Sequence, residues 1–130
     1  MTMSAEDLVA RATLARERAY APYSGYRVGA ALLTRSGQVY TGANVENAVY
    51  PLGTCAERTA VVKAVSEGER EFEAIAVVTS NGGTPCGSCR QILHEFAPHL
   101  RVIIADASGA YRETTLDQLL PAPFGADKLP

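Results

Sequence analysis

The chain is predicted to fold as an α/β protein, a three-layer α/β/α sandwich around a central mixed five-stranded sheet. Short apolar runs rich in β-branched residues alternate with segments of helical spacing, so the crossover helices must cover the sheet. At 130 residues the chain can bury one core, whereas two would each sit near the lower limit for independent folding. With 47% hydrophobic and 20% charged residues, the composition excludes disorder, collagen and a coiled coil. One domain over residues 1–130 is expected.

Ala5–Ala19 places Leu8, Ala12, Ala15 and Ala19 at helical spacing after Ser4, a residue suited to cap the start. Ala21-Pro22-Tyr23-Ser24-Gly25 breaks that helix. Arg27–Thr34 and Gln38–Gly42 then flank the short Arg35-Ser36-Gly37 connection and read as a hairpin. Cys55–Gly68 carries Ala60, Val61, Ala64 and Val65 on one face, and Gly68 suits a helix end. Ala74–Thr79 has the composition of a strand buried on both faces. Gly87–Phe96 sets Ile92, Leu93 and Phe96 at helical spacing before Pro98. Leu100–Ala105 and Ala110–Thr114 read as strands across an Asp106–Gly109 turn, and a short helix over Leu116–Leu120 leads into the tail.

The formal net charge of -2 and the lack of basic clusters argue against nucleic acid polymers and anionic membranes as partners. The longest apolar runs, Val28–Leu33 and Ala74–Val78, fall far short of the roughly 20 residues a spanning helix needs. Met1 to Asp7 shows no charged-then-apolar leader pattern, so a cytoplasmic protein acting on a small molecule is expected. Asn81-Gly82-Gly83 is glycine-rich but lacks the Lys and Ser/Thr of a phosphate loop. In a reducing compartment, three cysteines point to metal or catalysis rather than bridges.

All three sit at predicted helix starts: Cys55 opens the second helix, and Cys86 and Cys89 straddle the first turn of the third. The positive end of a helix dipole stabilises thiolates, the form that binds metal. A Cys-x-x-Cys turn converges two sulfurs, and zinc suits such ligands, although the same turn also occurs in redox proteins and a free cysteine can simply be a small hydrophobe. A closed structural zinc site needs a fourth ligand, for which His94 and His99 are the available histidines. His94 is turned away from Cys89 by its five-residue offset and His99 follows Pro98, so both read as surface residues. Three ligands with an open position describe a catalytic site. Glu57, two residues after Cys55, supplies the carboxylate such a site requires. Cys55-Ala56-Glu57 with Pro85-Cys86-x-x-Cys89 matches the zinc nucleobase deaminase signature, with Cys in place of its first His.

The match extends through Tyr20-Ala21-Pro22-Tyr23-Ser24, Val28-Gly29-Ala30-Ala31-Leu32, Asn44-Val45-Glu46-Asn47, Cys55 to Ala60, Pro85 to Gln91, Leu119-Leu120-Pro121 and Phe124. On these residues the chain resembles the small, homotetrameric class of cytidine deaminases. The resemblance implies hydrolysis of cytidine and deoxycytidine to uridine and deoxyuridine with loss of ammonia. It also implies one zinc ion per chain on Cys55, Cys86 and Cys89, a homotetramer, and Glu57 as the proton shuttle. Thr84 then corresponds to the position whose carbonyl accepts from the 4-amino group, and the Ala56 N–H to the donor to the pyrimidine 2-oxygen. Asn44 and Glu46 correspond to ribose-binding positions. Tyr26 stands where the family usually has a Phe against the base, Phe124 resembles a tail aromatic entering a neighbour's site, and Tyr50 a tyrosine at the subunit boundary. Three thiolates weaken the ion's Lewis acidity, and Arg58, donating to the sulfurs, is expected to restore it. The alternatives are a relative acting on another aminopyrimidine nucleoside such as blasticidin S, and a non-catalytic zinc-stabilised binding module.

Overall fold

The computed structural model describes residues 3–130. Its elements are α1 (Ala5–Arg16), β1 (Gly29–Thr34), β2 (Val39–Ala43), a 3₁₀ turn (Tyr50–Leu52), α2 (Ala56–Ser66), β3 (Phe72–Val78), α3 (Gly87–Phe96), β4 (Arg101–Ala105), β5 (Tyr111–Thr115), α4 (Leu116–Leu119) and a second 3₁₀ turn (Ala126–Lys128). The five strands form one sheet in the order β2-β1-β3-β4-β5. Only β3 and β4 run parallel, joined by the α3 crossover, and the remaining neighbours are antiparallel. The sheet is therefore mixed, as predicted.

Two cores flank it. Leu8, Val9 and Ala12 of α1 pack against Ala31, Leu33, Ala74, Ala76 and Ile103 on one face. Ala60, Val61 and Ala64 of α2 and Leu93 of α3 pack against Leu32, Ile75, Val77, Val102 and Ile104 on the other. Odd and even positions of β1 and β3 alternate between these cores, so both strands are apolar throughout rather than in alternation.

Element ends differ from the sequence expectation where side chains or loops capture the backbone. Ser4 Oγ accepts from the Asp7 N–H at 3.1 Å, capping α1 as expected. The helix ends at Arg16 rather than Ala19 because Tyr20 pairs with the segment after β2: its N–H donates to the Asn44 carbonyl at 2.9 Å and its carbonyl accepts from the Glu46 N–H at 2.8 Å. β1 begins at Gly29 rather than Arg27 because the Asn44 side chain holds the preceding residues. β3 begins two residues earlier than predicted, and Thr79 lies just beyond its end. Gly68, at φ 96°, terminates α2 in the left-handed region, where glycine carries no steric penalty.

The register brings the start of β1 and the ends of β2, β3 and β4 to one end of the sheet: Gly29 faces Ala43 and Val78, and Val78 faces Ala105. Both α2 and α3 begin there. Gly42 lets α2 approach closely, since a Cβ at that position would lie 2.5 Å from the Ala56 carbonyl oxygen.

Candidate active site

Cys55 and Cys86 are the residues immediately before the first turns of α2 and α3, both in extended backbone. Neither side chain caps its own helix, which leaves both sulfurs directed to a common point. Cys86 Sγ lies 4.0 Å from Cys55 Sγ and 3.5 Å from Cys89 Sγ. All three sulfurs fall within 4.8 Å of one another, and all are free thiols. The Cys89 thiol, helped by Cys86 and the charge of Arg58, pulls the Cys55 pKa down to about 6 against the opposing effect of burial. The same contact with Cys55, together with burial, pushes Cys89 up. A partly buried cluster of three sulfurs at two helix N-termini, with one of them readily ionised, fits a soft tetrahedral divalent ion such as zinc. Neither His94 nor His99 belongs to the cluster. His99 instead faces Asp117 at 3.7 Å on the surface.

Glu57 follows in the first turn of α2 and is 5% exposed. Burial raises its carboxyl pKa, and negative charge at Cys55 pushes the same way. Its proton is therefore held more readily than that of an ordinary glutamate, the condition for an acid–base group to work in both directions. Ala56 heads the helix, where backbone N–H groups have no intrahelical acceptor.

A cavity of about 320 Å³ opens over this cluster, lined among others by Tyr26, Asn44, Glu46, Cys55, Ala56, Glu57, Thr84 and Cys86. The size suits a small ligand. Larger hollows of about 550 and 610 Å³ lie elsewhere, the first around Arg35, Phe72 and His99, and neither contains the sulfur cluster. The smaller cavity is the chemically equipped one.

The cavity wall is itself hydrogen-bonded. Asn44 Oδ1 accepts from the Val28 N–H at 2.9 Å and its Nδ2 donates to the Tyr26 carbonyl at 2.9 Å. Glu46 Oε1 accepts from the Tyr23 and Ser24 N–H groups at 3.0 and 3.1 Å, and the Ser24 hydroxyl donates to Oε2. That hydroxyl holds the Glu46 carboxyl below the usual range. Both residues thus brace the 23–28 segment as well as facing the cavity. Tyr26 lines the cavity and donates its hydroxyl to Asn81 Oδ1 at 2.8 Å.

Three predicted residues lie away from this wall. Arg58 and Phe124 line the separate hollow of about 610 Å³, and Tyr50 sits 77% exposed with its ring edge-on to Tyr23 at 6.2 Å. Arg58 makes no hydrogen bond to the sulfurs among the described residues. It acts on Cys55 through charge, and its buried Nε has no hydrogen-bond partner among those residues. Arg90 was missed by spacing arguments. Its guanidinium donates to the Pro85 carbonyl at 2.7 Å, the Leu119 carbonyl at 2.7 Å and Thr84 Oγ1 at 2.9 Å, pinning the turn that carries Thr84 and Cys86. Its place directly after Cys89 was the only hint available.

Residues 2–105 match the family described as the cytidine and deoxycytidylate deaminase zinc-binding region. A cytidine deaminase of Sporosarcina psychrophila is 47% identical over 130 residues, covering 98% of this chain and 96% of the relative. The crystal structure of cytidine deaminase from Burkholderia pseudomallei superposes with a TM-score of 0.90 at 49% identity, over 94% of this chain and all of that one. A blasticidin-S deaminase of Bacillus cereus is more distant, 29% identical over 109 residues and covering 76% of this chain and 77% of the relative. With a match over most of its length, and with the fold and the sulfur cluster agreeing, the chain belongs to the cytidine and deoxycytidylate deaminase zinc-binding family.

Proposed function

We propose that this chain hydrolyses cytidine and deoxycytidine to uridine and deoxyuridine, releasing ammonia. The observation that carries the reading is Glu57, a buried carboxyl beside three converging sulfurs in a cavity open to a small ligand. A purely structural metal site has no use for a proton shuttle.

Cys55, Cys86 and Cys89 would hold zinc, whose Lewis acidity makes water a competent nucleophile near neutral pH. Glu57 takes one proton of the attacking water and delivers it to ring N3 so that C4 becomes electrophilic; it then takes the second proton from the hydroxyl added at C4 and passes it to the 4-amino group, which leaves as ammonia as the C4 carbonyl forms. The Thr84 carbonyl accepts from that amino group and the Ala56 N–H donates to the 2-oxygen, fixing the ring at both edges. Tyr26 flanks the base. Asn44 and Glu46 serve the sugar with the hydrogen-bonding capacity left over from bracing the wall, such as the second Asn44 amide hydrogen. Arg58 offsets the negative charge of the sulfurs. Phe124 is absent from its own chain's cavity lining and 57% exposed, which suits a role in a neighbour's site, with Tyr50 at the boundary of a homotetramer. The catalytic unit is one domain across the chain. Among the described residues no helix is long and apolar enough to cross a membrane, and the reading places the enzyme in the cytoplasm with free nucleosides as substrates.

Metal analysis and ammonia release test this together. The expected result is one zinc per chain, and a Glu57→Gln variant that keeps its zinc while losing about a hundredfold to ten-thousandfold in turnover. A zinc-loaded wild-type chain inert toward cytosine nucleosides would overturn the reading. Preferential turnover of blasticidin S over cytidine would reassign the substrate.

A further inference from the structure

We infer that the Tyr26 hydroxyl is a latch on the loop between β3 and α3, and that it sets the position of Gly83 and, through it, of Thr84 in the cavity wall. The inference rests on the deaminase reading for its kinetic consequence and on hydrogen-bond geometry for the latch itself.

The Asn81-Gly82-Gly83 run has no part in the mechanism, yet it joins two residues that line the cavity, Thr79 and Thr84. The Tyr26 hydroxyl donates to Asn81 Oδ1 at 2.8 Å. Asn81 Oδ1 also accepts from Thr79 Oγ1 at 3.3 Å, and Thr79 Oγ1 in turn accepts from the Gly83 N–H at 2.9 Å. Thr79, just beyond the end of β3, is buried and donates its N–H to the Ala105 carbonyl of β4 at 3.1 Å, so the chain of bonds is anchored on the sheet. Tyr26 and Thr79 line the cavity with Thr84, whereas Asn81 does not. The phenol oxygen therefore ties two lining residues, Tyr26 and Thr79, together through a residue that does not itself line the cavity.

A steric observation supports the same assignment independently. A Cβ built on Gly83 would lie 2.6 Å from the Tyr26 hydroxyl oxygen, while its next neighbours, Asn81 Oδ1 and Thr79 Oγ1, would be 3.6 and 3.9 Å away. The only serious obstacle to a side chain at 83 is thus that one oxygen. The φ angle of Gly83 lies outside the left-handed region, so alanine is otherwise admissible there. Tyr26 and Gly83 form a matched pair: the hydroxyl needs glycine opposite it, and a phenylalanine at 26 would not.

The test is a four-member set, wild type, Tyr26→Phe, Gly83→Ala and the double variant, assayed on cytidine. Tyr26→Phe keeps the ring and is expected to raise KM about two- to tenfold, the span one net hydrogen bond supplies. The change falls in KM because a displaced wall weakens ground state and transition state together. Gly83→Ala alone is expected to lower kcat/KM about tenfold or more through overpacking. Adding Tyr26→Phe should restore it to within about threefold of the Tyr26→Phe value, a coupling that independent sites do not show. Amide exchange at Gly83 in the free protein should be about two- to tenfold faster in Tyr26→Phe. Losses that simply multiply in the double variant, or Gly83 exchange unchanged by Tyr26→Phe, would overturn the latch. A wild-type chain that releases no ammonia from cytidine removes the deaminase reading, and the latch is then decided by Gly83 exchange in the same four chains.

Discussion

Arg58 shows how one side chain can act on the cluster without touching a ligand atom. Its charge lowers the Cys55 pKa, while its buried Nε is without a hydrogen-bond partner among the described residues. An unpaired buried donor costs about 1–3 kcal/mol. Arg58→Gln removes the charge and keeps a donor. The expected outcome is full zinc content with a roughly tenfold or greater fall in kcat, the range typical of groups that tune a metal through its ligands. Zinc assay beside turnover checks this, and unchanged turnover at full zinc would dismiss the role. Asn44 makes a related point. The family resemblance assigns it to the sugar, yet its amide holds the backbone of Tyr26 and Val28, so a variant there disturbs the wall before it disturbs any ligand contact.

At the scale of elements, the site depends on how closely α2 lies on the sheet. Gly42 is the contact point: a Cβ there would meet the Ala56 carbonyl oxygen at 2.5 Å, the Ala60 nitrogen at 2.8 Å and the Thr59 Cβ at 2.9 Å. Two of the three obstacles are helix backbone and cannot rotate away. Gly42→Ala must therefore push the start of α2, and with it Cys55 and Glu57, off the strand. Overpacking of this kind costs about 1–3 kcal/mol, or roughly 4–12 °C in the unfolding midpoint of a domain this size. Calorimetry should show that loss together with reduced zinc affinity. A midpoint within about 2 °C of wild type would mean that the helix yields more easily than its backbone contacts imply. Arg90 does the corresponding work for α3, joining the Thr84–Pro85 turn to the end of α4.

For the molecule as a whole, the exposed apolar side chains matter most. Leu14, Val49, Tyr50, Leu52, Phe124 and Leu129 are each more than half exposed, the kind of side chain that contacts between subunits of the proposed tetramer would cover. Sedimentation velocity is expected to give a species of about four times the 13.8 kDa chain mass. If Phe124 completes a neighbour's cavity, specific activity should fall on dilution in step with dissociation. A fully active monomer would dismiss both the tetramer and that role.

The sequence alone determined the order of elements, the two-sided core and the cysteine–glutamate motif, because apolar periodicity and short-range spacing are local properties. Helix starts were legible to within a residue: Cys55 and Cys86 stand where they were expected. Element ends were less so, since Asn44 and the Tyr20 pairing that trim β1 and α1 come from remote segments. Only the tertiary structure decided that three sulfurs meet within 4.8 Å, that Arg90 pins the Thr84 turn and that the Tyr26 hydroxyl reaches Asn81 across 55 residues. Contacts of that separation depend on strand register and on how closely helices approach the sheet, and neither is encoded in any single window of the chain.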